Sequence, residues 1–259
     1  MNHKRRACLA AALALAFSGV PASAETPVEL IARAKPSVVL VGSYGLLASP
    51  RFGFSGTGFA VADGRHVITN VHVLPAPQPG RVDRSVAVQH WTADAGWRLR
   101  SATVVGTDPA HDLALLRIEG PALPALKFAT SEVPEGQGIL LIGFPLGGSL
   151  GYSHVSHRGM VAARTAIAQQ AVTSERLTPR TLQQLRAGAF EILQLDATAY
   201  PGNSGGPVFD LASGEVVGVI SMVLVKGTRE AALSAPSGIS YAVPAKHAVA
   251  LLKESLPAQ

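Results

Sequence analysis

The amino-acid sequence predicts an all-β protein, either a sandwich or a barrel. Short apolar segments recur along the chain, and glycine or proline residues separate most of them. Many short strands at close spacing, with turn residues between them, are typical of these two architectures. The segments expected to form strands are Val38–Val41, Gly58–Ala62, Val67–Thr69, Val86–His90, Arg98–Val105, Leu113–Ile118, Ile139–Ile142 and Glu191–Leu195.

Two short helices are predicted at the ends of the strand-rich region. The first is Val28–Ala34, which Pro27 and Pro36 bracket, because proline is tolerated at a helix start and ends a helix elsewhere. The second is Ala245–Glu254.

A polar segment, residues 169–188, interrupts the strand pattern. Leu182 and Leu185 have helical spacing, and Thr178-Pro179 could supply the N-cap and the first helical residue. We interpret the segment as an insertion, which is either a solvated surface excursion or a loop that gates substrate or senses activity.

The first 24 residues predict an export signal. Lys4, Arg5 and Arg6 precede an apolar stretch that is too short to span a bilayer, and Ala22-Ser23-Ala24 is a small-residue cleavage site. We therefore expect cleavage after Ala24, a periplasmic or secreted location and no stable membrane anchor. The remaining 235 residues contain no cysteine, which fits an exported bacterial protein without disulfides.

Charge and composition exclude some other partners. The formal net charge is +5, but the export signal supplies three positive charges, and the remaining basic residues are scattered. This distribution does not predict nucleic-acid binding. His66 and His111 are expected at the surface, no histidines have metal-ligand spacing, and no thiolate remains, so we expect neither a metal nor another cofactor.

The segment Gly202-Asn203-Ser204-Gly205-Gly206-Pro207 is the main candidate for chemistry. A serine hydroxyl becomes a useful nucleophile only with a base and with donors that stabilise an oxyanion. Flanking glycines allow the sharp turn that such a site needs, although they also suit a plain turn between two strands. Upstream, two predicted strands are joined by a turn at Asp63-Gly64, and His72 lies just past the second of them. Asp112 opens a later strand-like apolar run. The order histidine, aspartate, serine is one of several used by triad hydrolases.

Taken together, these motifs resemble those of trypsin-like serine proteases of the HtrA (Deg) type. The matching segments occur in the family's order and extend over most of the chain after the export signal. They are Ser55–Phe59, Thr69–Val73, Asp112–Leu116, Gly143–Gly147, Leu195–Pro207, Gly214–Val219 and Gly238–Pro244.

The resemblance implies a chymotrypsin-like fold of two six-stranded antiparallel β-barrels in a protease domain of residues 25–259. Residues 25–122 would form the first barrel and residues 137–259 the second, with the active site between them. No segment long enough for a PDZ domain follows the last predicted helix, which departs from the usual HtrA pattern.

The resemblance also assigns roles to residues. Ser204 would be the nucleophile, His72 the general base and Asp112 the residue that orients the imidazole; the family motif favours Asp112 over Asp108. The N–H groups of Gly202 and Ser204, with Asn203 between them, would form the oxyanion hole.

The substrate-binding residues are expected near Thr198–Tyr200 and on a strand from Ile220 to Leu224. We assign Thr198, Ala199, Tyr200, Ser221, Met222 and Val223 to this group. None is charged, so the pocket would suit a small or medium apolar side chain before the cleaved bond. The Ser221 hydroxyl would either hydrogen-bond Asp112 or be an ordinary strand hydroxyl.

Activation by N-terminal cleavage is not expected. In digestive enzymes of this family an aspartate before the nucleophile pairs with a new N-terminus, but this chain has Asn203 there. We instead expect activity to depend on the ordering of loops Leu146–Tyr152 and 169–188. HtrA trimers commonly use aromatic residues near the N-terminus, and Glu25–Pro36 has none, which favours a monomer.

The predicted function is an exported serine endopeptidase that cleaves unfolded or misfolded polypeptides. One alternative is a non-catalytic polypeptide-binding or chaperone-like protein on the same scaffold, because fold does not fix function. Another is an esterase that uses the same triad.

Overall fold

The computed structural model describes residues 25–75, 84–166, 190–221 and 238–256. The predicted export signal, the 169–188 insertion, Met222 and Val223 lie outside these described residues. Within the described ranges, no helix is both long and apolar enough to cross a bilayer.

Six strands form a first closed barrel, in the spatial order β1-β2-β3-β6-β5-β4 with antiparallel neighbours. They are β1 (Val38–Tyr44), β2 (Phe52–Val61), β3 (His66–Asn70), β4 (Ser85–Thr92), β5 (Gly96–Asp108) and β6 (Leu113–Ile118). The turn between β2 and β3 contains Asp63-Gly64 as predicted, and Gly64 there has a positive φ of 74°.

Six further strands form a second closed barrel, in the spatial order β10-β11-β12-β9-β8-β7, again antiparallel throughout. They are β7 (Gly138–Gly143), β8 (Val155–Ala166), β9 (Glu191–Asp196), β10 (Pro207–Asp210), β11 (Val216–Ile220) and β12 (Ile239–Pro244). The predicted all-β fold of two six-stranded antiparallel barrels is therefore confirmed.

Several strands are longer than predicted, β2 and β5 most of all. β2 begins at Phe52 rather than Gly58, and β5 continues to Asp108. Glycine, serine and threonine interrupt the apolar residues at the start of β2, so no apolar run marks the strand there. Its backbone nevertheless pairs with β1 as far as Tyr44↔Phe52. Backbone pairing, which is nearly independent of the side chain, decides the strand's length there.

The two predicted helices are present. Helix α1 (Pro27–Ala34) begins at Thr26, whose hydroxyl accepts a hydrogen bond from the Glu29 N–H while the Glu29 carboxylate accepts one from the Thr26 N–H. This reciprocal capping satisfies two otherwise unpaired donors. Helix α2 (Ala245–Ser255) follows β12 and packs against β5, β6 and β11, with Ala248 and Leu251 buried.

The two barrels share part of their core. One apolar cluster lies in each barrel, and a third includes Phe59 from the first barrel, Phe144 and Phe209 from the second, and Leu251 from α2. This shared cluster fixes the barrels against each other, so residues at their junction keep a defined geometry.

Candidate active site

His72 and Asp112 are in direct contact. His72 lies on the 3-10 turn Val71–Val73 that follows β3, and Asp112 directly precedes β6. The Asp112 Oδ2 atom is 2.6 Å from His72 Nδ1, and Oδ1 accepts a hydrogen bond of 3.1 Å from the His72 backbone N–H. These two contacts orient the imidazole, and the contact with Oδ2 leaves Nε2 as the nitrogen available for proton transfer. Asp108 instead contacts His111.

The backbone of Asp112 is in the left-handed region, with φ of 58°. This conformation is uncommon for a residue other than glycine and persists where the surroundings enforce it. The Asp112 carbonyl accepts hydrogen bonds from the Val71 N–H at 3.1 Å and from Asn70 Nδ2 at 3.0 Å. The carboxylate is thus aimed by a backbone that is itself bonded to the turn carrying His72.

Ser221 connects the second barrel to this pair. Its hydroxyl is buried immediately after β11 and donates a hydrogen bond of 3.1 Å to Asp112 Oδ2. The sequence left open whether this hydroxyl bonds Asp112 or is an ordinary strand hydroxyl, and in the structure it bonds Asp112. The hydroxyl therefore faces the first barrel.

Ser204 lies on a tight turn between Tyr200 and Gly206. The Asn203 N–H donates to the Tyr200 carbonyl and the Gly206 N–H to the Asn203 carbonyl, both at 2.9 Å. Gly205 has φ of 84°, a conformation that glycine adopts without strain. Only 4% of the Ser204 surface is exposed.

The turn that carries Ser204 packs against the first barrel where β3 ends. The Ser204 carbonyl accepts a hydrogen bond of 2.8 Å from the Thr57 N–H on β2. A Cβ atom on Gly205 would lie 2.1 Å from the Thr57 carbonyl oxygen and 3.2 Å from the Asn70 nitrogen. Glycine is therefore required at 205, and this close approach places the Ser204 turn beside the segment that carries His72.

The peptide bond between Pro201 and Gly202 has a fixed orientation. The Pro201 carbonyl accepts a hydrogen bond of 2.7 Å from the Leu146 N–H, and the Thr57 hydroxyl donates to the Gly202 carbonyl at 2.6 Å. Because C=O and N–H point in opposite directions across a trans peptide, the Gly202 N–H points away from Leu146. The loop Leu146–Tyr152, whose order the sequence predicts to matter, thus contacts the candidate oxyanion hole directly.

The expected substrate-pocket residues have different environments. Ala199 is buried in the core cluster of the second barrel, and its N–H donates to the Ser240 hydroxyl at 2.9 Å. Tyr200 is half-buried, with its ring centroid 6.0 Å from that of His157. Thr198 precedes them and is also half-buried.

The expectation that His66 and His111 lie at the surface is wrong for His66 and holds only in part for His111. His66 is 5% exposed, and its Nδ1 is 2.7 Å from Asp63 Oδ1. The chain at Leu123 lies against the same β2–β3 turn, where the Leu123 N–H donates a hydrogen bond of 2.9 Å to the Gly64 carbonyl. His111 is half-buried and stacks on His247 of α2. Sequence reasoning did not find this pairing, since the two histidines are far apart in the chain. Among the described residues, no group of three or more His, Cys, Asp or Glu side chains is arranged to hold a metal ion.

Comparisons with known proteins point to one family. Residues 56–219 match the model of the trypsin-like peptidase domain. The chain is 32% identical to a probable periplasmic serine endoprotease DegP-like of Marinomonas sp. over 77% of this chain and 35% of that protein. A protein of the same name from Pseudomonas fluorescens is 33% identical over 73% of this chain and 32% of its own length. The chain thus spans about a third of the length of these relatives.

Solved structures agree in fold. The crystal structure of Deg5 is 27% identical, with a TM-score of 0.60 over 86% of this chain and 90% of that chain. The serine endoprotease from Yersinia pestis is 25% identical, with a TM-score of 0.59 over 87% and 64% of the two chains.

Proposed function

Because this chain belongs to the trypsin-like peptidase family and is of the HtrA type, we propose that it is an exported serine endopeptidase. The observation that supports this most strongly is the contact of His72 with Asp112 beside the glycine-flanked Ser204 turn. An all-β fold by itself does not require a buried carboxylate, that of Asp112, to contact a histidine from a distant part of the chain.

In the proposed reaction, Ser204 Oγ attacks the carbonyl carbon of the peptide bond while His72 Nε2 takes the hydroxyl proton. Asp112 stabilises the resulting imidazolium without taking its proton. The N–H groups of Gly202 and Ser204 stabilise the negative charge on the former carbonyl oxygen. The loss of one such donor typically lowers the rate by about 10²–10³.

The intermediate then collapses to an acyl-enzyme. The C–N bond breaks, and His72 delivers its proton to the leaving amine. Water next attacks the ester, again with His72 as the base, and the new carboxylic acid leaves as Ser204 regains its proton.

We further propose that the substrates are unfolded or misfolded polypeptides. Thr198, Ala199, Tyr200 and the Ser221 backbone would accept a small or medium apolar side chain, because no charge among them would pair with a basic one. Met222 and Val223, outside the described residues, belong to the same proposal.

The location and organisation of the chain are also proposals. The relatives' names support export. We place the cleavage after Ala24 and the protease domain at residues 25–259. Residues 25–122 and 137–259 would be its two halves, and the domain would act as a monomer without a cofactor.

Labelling with a fluorophosphonate probe tests the proposal. The wild-type protein should be labelled on Ser204, as located by mass spectrometry of the modified peptide, and should cleave an unfolded protein. Ser204→Ala should lose both properties, whereas Ser213→Ala, which changes an exposed turn serine, should keep them. Equal cleavage by wild type and Ser204→Ala would exclude this mechanism. If the folded wild-type protein bound the unfolded protein without cleaving it, the polypeptide-binding alternative would be favoured.

A further inference from the structure

Three aromatic rings meet at the residue before Asp112. His111 and His247 stack with ring centroids 3.7 Å apart and planes 23° from parallel. The Phe190 ring meets His111 edge-on at 4.6 Å and His247 at 5.8 Å. His111 belongs to the first barrel, whereas Phe190 directly precedes β9 and His247 is part of α2. The cluster therefore joins three separate parts of the fold.

The other edge of His111 is held by Asp108. The Asp108 carboxylate accepts a hydrogen bond of 3.2 Å from the His111 backbone N–H, and its second oxygen is 2.5 Å from His111 Nδ1. With Asp108 on one side and His247 on the other, the His111 ring has little freedom to turn. Because His111 directly precedes Asp112 in the chain, a fixed position of His111 restricts the peptide group between the two residues and so the φ angle of Asp112.

We infer that His247 is a positioning residue for Asp112, which acts by stacking on His111 and so fixing the carboxylate toward His72. The inference rests on the proposed function. Asp112 has a positive φ of 58° and contacts His72 and Ser221 through the same short side chain. A small rotation of its backbone would move all of these contacts at once, so a support on the preceding residue has a direct effect on the catalytic geometry.

The charges around His247 show what kind of contact it makes. Burial lowers the pKa of His247 to about 4, and the neighbouring charges of His111 and Lys246 act in the same direction. Asp108 and Glu191 oppose this shift without cancelling it. His247 is therefore neutral at pH 7, so its ring stacks on His111 without carrying a buried positive charge of its own.

The hydrogen-bonding state of His247 supports the same view. Its Nε2 atom is buried and has no hydrogen-bond partner in the described part of the chain. The ring thus contributes its flat face rather than its polar atoms. Phenylalanine, which has a similar flat ring, should perform the same task.

Three variants of the full chain separate positioning from filling of space. His247→Phe keeps a flat ring, His247→Leu keeps much of the volume without the flat face, and His247→Ala removes both. Lys253→Ala, an exposed change on the same helix, is the control. Thermal unfolding identifies any variant that does not fold, and the Phe and Leu variants decide the question if the Ala variant fails.

The first readout is the second-order rate of reaction with a fluorophosphonate probe. We expect His247→Phe and Lys253→Ala to stay within about twofold of wild type, and the Leu and Ala variants to react about tenfold or more slowly, since small misplacements of catalytic groups are costly. The second readout is the proton resonance of the hydrogen bond between His72 Nδ1 and Asp112. It should shift or broaden in the Leu and Ala variants only.

The outcomes distinguish this inference from the proposed function. If wild type is not labelled, the proposed function fails, and the His72 resonance still tests the positioning of Asp112. Wild-type reaction rates and an unchanged resonance in folded His247→Leu would overturn the inference. An equal loss in His247→Phe and His247→Ala would also overturn it, because the flat ring would then not be the property that matters.

Discussion

At the scale of single residues, Asn203 shows why an uncharged side chain is needed beside the proposed nucleophile Ser204. Its side chain is fully buried, and a Cβ atom on Gly143 would lie only 2.6 Å from its Oδ1 atom. Neither its Nδ2 nor its Oδ1 atom has a hydrogen-bond partner among the described residues. An amide tolerates this position better than a carboxylate, because an unpaired buried charge is far more costly than an unpaired buried dipole.

We therefore expect Asn203→Asp to be severely destabilising at pH 7, by about 3–5 kcal/mol, as for other uncompensated buried charges. It should also slow fluorophosphonate labelling, because the turn between Gly202 and Ser204 would distort. Urea unfolding at pH 7 measures the first effect and the labelling rate the second. Asn203→Leu is the uncharged control of similar size; if it loses as much stability as Asn203→Asp, charge is not the cause.

At the scale of elements, the loop Leu146–Tyr152 lies between β7 and β8 and contacts the Ser204 turn. Leu146 has a positive φ of 56°, and its N–H holds the Pro201 carbonyl. Tyr152, at the other end of the loop, meets the Phe54 ring of β2 edge-on at 5.6 Å. The loop thus contacts both barrels and sets the direction of the Gly202 N–H.

Leu146→Pro should abolish this support, because proline has no N–H and cannot adopt a positive φ. Since the Gly202 N–H, a proposed oxyanion donor, would lose its orientation, we expect kcat for peptide cleavage to fall by about 10²–10³. Leu146→Gly is the matched control, because glycine keeps the N–H and adopts this φ without strain. Steady-state kinetics of the two variants would contradict the prediction if Leu146→Pro retained the activity of Leu146→Gly.

At the scale of the whole molecule, the two barrels are expected to unfold together. Phe209 of β10 is fully buried in the cluster that also contains Phe59 of the first barrel and Leu251 of α2. The chain's two tryptophans, Trp91 and Trp97, both lie on strands of the first barrel, and Trp97 also contacts Phe144 of the second barrel. Tryptophan fluorescence therefore reports on the first barrel and on its junction with the second.

Phe209→Ala should lower the free energy of unfolding by about 3–5 kcal/mol, the usual range for a buried phenylalanine. Because the cluster is shared, the loss should appear equally in tryptophan fluorescence and in far-ultraviolet circular dichroism during urea unfolding. Met160→Ala, which is 42% exposed in the same barrel, should change little. A fluorescence midpoint that stayed at its wild-type value in Phe209→Ala would show that the barrels unfold independently.

The amino-acid sequence by itself determined the all-β class, the two helices and the order of His72, Asp112 and Ser204. Periodicity, proline positions and short motifs are local properties, so they can be found without coordinates. Only the tertiary structure decided that Ser221 bonds Asp112, that His66 is buried and that His111 stacks on His247. These contacts join residues from distant parts of the chain, and their partners follow from the closing of two barrels and the packing of α2, which no local pattern encodes.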